Sequence, residues 1–274
     1  IDSPWEQPTN LDAARIALLQ PCVVNSTAND QGPNLRADSA TLYFHTFKNG
    51  GCGGGDIYVS HRDNITDDLG WEAPRNANTL GRDANEPLQC GAIGSTELIN
   101  TPNTDAGPNF FYDQLTGVTT LYFTRSDQPT MVGDFDICTA TLQPDGSWGA
   151  ITRDNQLSTL FRDTRTAIRH DGLEMILSSE RPGNPPGSDP GKIWSSTRGS
   201  TLNPWLMPSL APYVNSLANE GGPALSADGN ELYFTSTRAG GAGGNDLYVS
   251  MRRLPVVKVK NITAEAANSC VAHV

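Results

Sequence analysis

The chain has 274 residues, a formal net charge of −11 and only 18% charged residues, with glycine and proline plentiful. That balance excludes a nucleic-acid partner, because phosphate binding needs a basic surface, and it argues against docking on anionic lipid. A cation or a neutral polar ligand suits it better, and no apolar run reaches the roughly 20 residues of a membrane helix, so no transmembrane segment is expected.

The first residues, IDSPWEQP, carry neither an initiator Met nor a basic-then-apolar leader. They read as the start of a mature exported chain, secreted or held in the periplasm or cell envelope. Trp5 stands here with no strand unit before it. The first clear unit is GPNLRADSATLYFHTFKNGGCGGGDIYVSHR at 32–62, and GGPALSADGNELYFTSTRAGGAGGNDLYVSMR at 221–252 repeats it. Aligned from Thr41 and Glu231, 12 of 22 positions are identical. Such self-similarity marks a repeat architecture. Two more divergent copies lie at 107–140 and 166–197.

Each copy reads as three short strands, because β-branched and aromatic residues alternate with turn signals. Turns such as HDG at 170–172 and ADG at 227–229 close the first hairpin. The second strand is LYF-like, as at Leu42–Phe44, and a glycine-rich loop leads to a third that opens at Asp56, Asp136, Lys192 or Asp246. A Trp follows in register at Trp71, Trp148 and Trp205, but after the last copy there is none. The N-terminal Trp5 fills the gap, so the N-terminal strand is expected to complete the last unit and remove an open sheet edge. The expected fold is therefore all-β: one four-bladed β-propeller of four antiparallel strands per blade over 1–254, with a tail at 255–274. The Trp residues are expected to pack neighbouring blades.

The stretches GPALSADGNELYFTSTR and GGNDLYVS at 222–250, and more loosely 32–60, resemble the TolB-type, WD-like propeller repeat. The likeness is to the form associated with OmpA-type envelope proteins of bacteria. It implies a propeller and says little about activity, since such folds serve as binding modules, scaffolds and enzyme cores.

Loops that join an outer strand to the next inner strand end in the register VNSTANDQGP, INTPNTDAGP, LSTLFRDTRT and VNSLANEGGP. This places Asp30, Asp105, Asp163 and Glu220 at equivalent positions near one mouth of the axis. Four converging acids must be solvated, paired or share a cation such as Ca2+, and these four are the candidate metal ligands. The alternative is that each caps a loop in its own blade. Arg165 replaces Gly in the third copy and could neutralise the ring. His45, in place of Thr124, Ser178 and Thr235, and Arg125 complete the candidate ligand-binding set. The Asp at the third strand is expected to bond loop amides.

No GxSxG, HExxH or P-loop pattern is present. The first expectation is a binding module for a carbohydrate or envelope glycan, with a cation near the channel. A hydrolase or lyase using axial carboxylates, or a scaffold for another envelope protein, are the alternatives. Among five cysteines, Cys52 is placed to pair with Cys22 or Cys90, Cys138 reads as buried packing, and Cys270 lies in the tail. Asn25, Asn64 and Asn261 lie in glycosylation sequons.

Overall fold

The structure, a computed structural model, describes residues 9–252 apart from 20–21, 37, 68, 84–85, 93–94, 127–132, 227 and 241–243. After a short helix, α1 (Ala13–Ala17), the chain is built from strands. The first sheet is β1 (Asp30–Leu35), β2 (Thr41–Thr46), β3 (Asp56–His61) and β4 (Arg75–Asn76), in that order. The second repeats it with β5 (Asp105–Asp113), β6 (Val118–Ser126), β7 (Phe135–Thr141) and β8 (Thr152–Arg153). The third has β9 (Asp163–Ile168), β10 (Glu174–Ser179), β11 (Lys192–Thr197) and β12 (Ser209–Leu210). The fourth holds β13 (Glu220–Leu225), β14 (Glu231–Ser236) and β15 (Asp246–Met251). Every pairing is antiparallel, and the sheets sit around an axis as a four-bladed propeller with the first strand of each innermost. Trp5, the tail from 255 and the sequon at Asn261 lie outside the described residues.

Three apolar clusters fill the gaps between successive blades. Tyr43, Ile57 and Val59 of the first blade meet Leu121, Phe123 and Trp148 of the second. Phe111, Tyr122 and Ile137 then meet Met175 and Trp205, and Ile176 and Ile193 meet Leu232 and Phe234. Trp148 stacks on Phe110 and meets Tyr43 edge-on, while the Trp205 indole N–H donates to the Tyr122 hydroxyl at 3.2 Å. Trp148 and Trp205 are thus inter-blade packing, each burying a large apolar surface, while Trp71 is half-buried against the first blade's own cluster around Val24. Cys138 is fully buried, and burial pushes its thiol up to about 12.

Polar clasps reinforce the same interfaces. The Asn100 side chain accepts from the Ile57 amide and donates to its carbonyl, joining the second blade to the third strand of the first. Ser158 does this at Ile137 and Asn215 at Ile193. Both groups of a buried peptide are satisfied by one side chain, which removes the penalty of leaving them unpaired. A bond between Cys52 and Cys90 ties the 50–55 loop to the segment before β5, which decides between the two expected pairings. It fits an oxidising compartment. Cys22 is exposed and free. No helix among the described residues is long and apolar enough to cross a membrane.

Candidate functional site

Asp30, Asp105, Asp163 and Glu220 open the four innermost strands, as their common register requires. Each turns back into its own blade. The residue four positions earlier supplies a hydroxyl: Ser26, Thr101, Thr159 and Ser216 each donate to the acid, and the first three add their backbone amides. A cation from the far end of the second strand completes three of these sites. Arg125 meets Asp105 at 2.6 Å, Arg181 meets Asp163 at 2.6 Å, and Arg238 meets Glu220 at 3.1 Å. In the first blade Lys48 holds the register of Arg181 and Arg238; burial lowers its pKa, and the charge of Asp30 opposes this in part. Lys192 reaches across from the third blade to Glu220 at 3.2 Å. The acids are loop caps, three of them closed by ion pairs, and the structure does not bring them together around a shared centre. Among the described residues no group of three or more His, Cys, Asp or Glu is arranged to hold a metal.

The other expected site residues are equally placed by the fold. Arg125 is buried, donating to Asp105 and to the carbonyls of Ser95, Leu98 and Ile99. His45 is buried too, and its Nδ1 accepts the Gly107 amide at 3.4 Å. Burial, then the charge of Arg165, lowers its pKa to about 4, so the ring is neutral and able to accept. Thr124 and Ser178 perform the same task, taking the amides of Arg165 and Gly222. Gly32, Gly107, Arg165 and Gly222 are the bulge residues of the four inner strands, all at positive φ.

Asp56 bonds the loop amides of Cys52 and Gly53, as its place before the third strand suggests. Burial outweighs those bonds and raises its pKa to about 6. An acid whose pKa is raised on folding costs stability above that value and nothing below its unfolded pKa. Asp56→Asn is therefore expected to gain on the order of 2–3 kcal/mol at pH 7 and nothing at pH 4. Paired thermal melts across this range check it; a constant difference would refute the assignment.

A cavity lies at the opposite mouth of the axis, beside the turns between first and second strands. It holds about 590 Å³ and is lined from all four blades. Phe110, Phe111 and Tyr112 form one wall, with Tyr112 half exposed. Arg36, Gln114, His170 and Ser226 supply donors and acceptors around it. Gln114 and His170 meet at 3.4 Å across the gap between the second and third blades. Aromatic faces with a few convergent polar groups are what a polar organic ligand needs.

No family model matches the chain, and no curated protein does. Among solved structures the α-L-arabinanase of Cellvibrio cellulosa superposes with a TM-score of 0.52 at 12% identity, over 88% of this chain and 79% of that one. The likeness is one of fold. In its complex with arabinohexaose the same enzyme also scores 0.52, at 13% identity over 80% of this chain and 72% of that one. A TolB from Agrobacterium tumefaciens matches at 14% identity and a TM-score of 0.45, over 83% of this chain and 67% of that one. The chain spans 45% of the Hadza microbial sialidase Hz136, which matches over 82% of this chain at 14% identity and a TM-score of 0.48.

Proposed function

We propose that this protein is a carbohydrate-binding propeller whose ligand seats in the axial cavity beside Tyr112. The observation that carries this reading is the division of labour at the axis. The cavity joins aromatic faces to hydrogen-bonding groups from four blades, while the axial carboxylates are engaged in their own blades. Aromatic rings cover the apolar faces of a sugar, and Gln114, His170, Arg36 and Ser226 are in place for its hydroxyls. The fold neighbour from Cellvibrio is an arabinanase seen complexed with arabinohexaose, which supports a sugar as ligand. Glycoside cleavage needs two free carboxylates about 5–10 Å apart across the scissile bond. At this cavity the acid among the lining residues is Asp38, which bonds the Ala40 and Thr41 amides and lies 3.6 Å from Arg36.

A panel of neutral oligosaccharides, read by calorimetry and by ligand mass, tests the proposal. Binding at unchanged mass is expected, with Tyr112→Ala weakening it about tenfold, the worth of one aromatic stacking contact. Loss of ligand mass would replace this reading with a hydrolase, and undiminished binding by Tyr112→Ala would move the site elsewhere.

A further inference from the structure

Arg165 is the exception among the four bulge residues. Its three counterparts are glycines, which adopt positive φ at no steric cost, whereas Arg165 holds φ 44 with a full side chain. A non-glycine residue in that region carries strain that the surrounding structure must overcome, and such residues gather at ligand sites. The side chain reaches all the other blades. Its Nη2 donates to Gln31 Oε1 at 3.4 Å, and a Cβ on Gly107 or Gly222 would stand 3.5 Å from its Cγ or 3.3 Å from its Nη1. Arg165 thus spans the mouth of the axis opposite the aromatic cavity.

Its charge is also exceptional. Arg125, Arg181, Arg238 and Lys192 are each paired with an axial acid. Among the described residues no ion pair is made by Arg165, and its guanidinium keeps most of its five donors unused. Arg162 stands close enough to disfavour the Arg165 charge further. Beside them opens a polar recess of about 350 Å³, with Ser178, Thr235, Asn219, Asn245 and Glu180 on its walls.

We propose that this mouth is a second site, where Arg165 grips the carboxylate of a small sugar acid and the surrounding amides and hydroxyls take its hydroxyl groups. A planar guanidinium matches a carboxylate with two parallel hydrogen bonds, the strongest pairing available to it. Glu180 adds an acceptor for a ligand hydroxyl while disfavouring a second carboxylate nearby. The site is independent of the aromatic cavity.

The probes are glucuronate and glucose, which differ in the carboxylate alone. Calorimetry is expected to show glucuronate binding the parent protein at least tenfold more tightly than glucose. Arg165→Gly and Arg165→Gln both lose that preference, and Arg165→Lys keeps part of it. Arg165→Gly restores the residue of the other three blades, so its melting temperature should equal or exceed the parent's. Arg165→Gln keeps the strained backbone and removes only the charge, which separates the ionic contact from any rearrangement of the bulge. Equal affinity of the parent for the two sugars, or undiminished glucuronate binding by both uncharged variants, overturns the proposal.

Discussion

Arg125→Ala is expected to remove about 3–5 kcal/mol of stability, the range found when one partner of a buried ion pair is deleted. Arg125 is 1% exposed and Asp105 is fully buried, so neither charge can turn to water when the other is lost. Three carbonyls, of Ser95, Leu98 and Ile99, lose their donor in the same step. In a domain of this size the change corresponds to a fall in melting temperature of about 10 °C. It should depend on pH. Burial already raises the Asp105 pKa against the pull of Arg125. Without the guanidinium the acid rises further, so the penalty is largest at neutral pH and shrinks as pH falls towards the unfolded value near 4. Adding Asp105→Asn to the variant should recover part of the loss at pH 7 and little at pH 4. A fall below 1 kcal/mol at pH 7 would mean that the pair is hydrated and that the mouth of the second blade is open.

That ion pair also marks the limit of what the sequence makes legible. The blade repeat is plain, because LYF and D-x-Y strands recur with their turns, and the register tryptophans identify the interfaces they fill. The axial acids align by eye. Their cations do not stand out, although Lys48, Arg181 and Arg238 each lie eighteen residues after their acid. In the second blade the longer hairpin of β5 and β6 displaces that register, and Arg125 stands two positions before it, directly opposite Asp105. The common spacing in three copies pairs Lys48, Arg181 and Arg238 with their acids, but Arg125 falls outside it, so its pairing with Asp105 emerges only from the strand register. His45 looks singular as a sequence letter and becomes ordinary as a structural position, because its ring nitrogen accepts the same amide that Thr124 and Ser178 accept elsewhere. The aromatic cavity gives no repeat signal at all. Phe110–Tyr112 belong to the long hairpin of a single blade, and their convergence with His170 and Ser226 is a property of the closed circle.

Thr9→Cys and Val249→Cys, introduced together, are expected to form a disulfide within one chain and to raise stability by about 5 kcal/mol, the chain-entropy value for so long a loop. Three blades set the register. In WEAPRN (71–76), WGAITR (148–153) and WLMPSL (205–210), the fifth residue after Trp pairs with the residue two after Asp56, Asp136 or Lys192 in the blade's third strand. WEQPTN at 5–10 has the same form and shares W-E-x-P-x-N with the first. Carried over, Asn10 pairs with Tyr248 and Thr9 with Val249. Two features of the described residues point the same way. Asn25 already donates to Asn10 Oδ1 at 3.1 Å, the counterpart of the Asn100–Asn76 bond. Ile57, Ile137 and Ile193 are each fully buried by the following blade, whereas their counterpart Leu247 is 82% exposed, with Val249 and Met251 beside it. An apolar strand face left in water next to an unpaired sheet edge is a site for pairing, and the first blade offers the complementary face, Leu42, Phe44 and Tyr58, gathered around Val24. Cys22 is exposed and is replaced by Ser in the test to prevent exchange. Mass spectrometry of the oxidised protein separates the outcomes. A link between the two introduced cysteines of one chain supports closure in this register, while a link between two chains would mean that a second copy, and not the first residues of the same chain, covers the fourth blade.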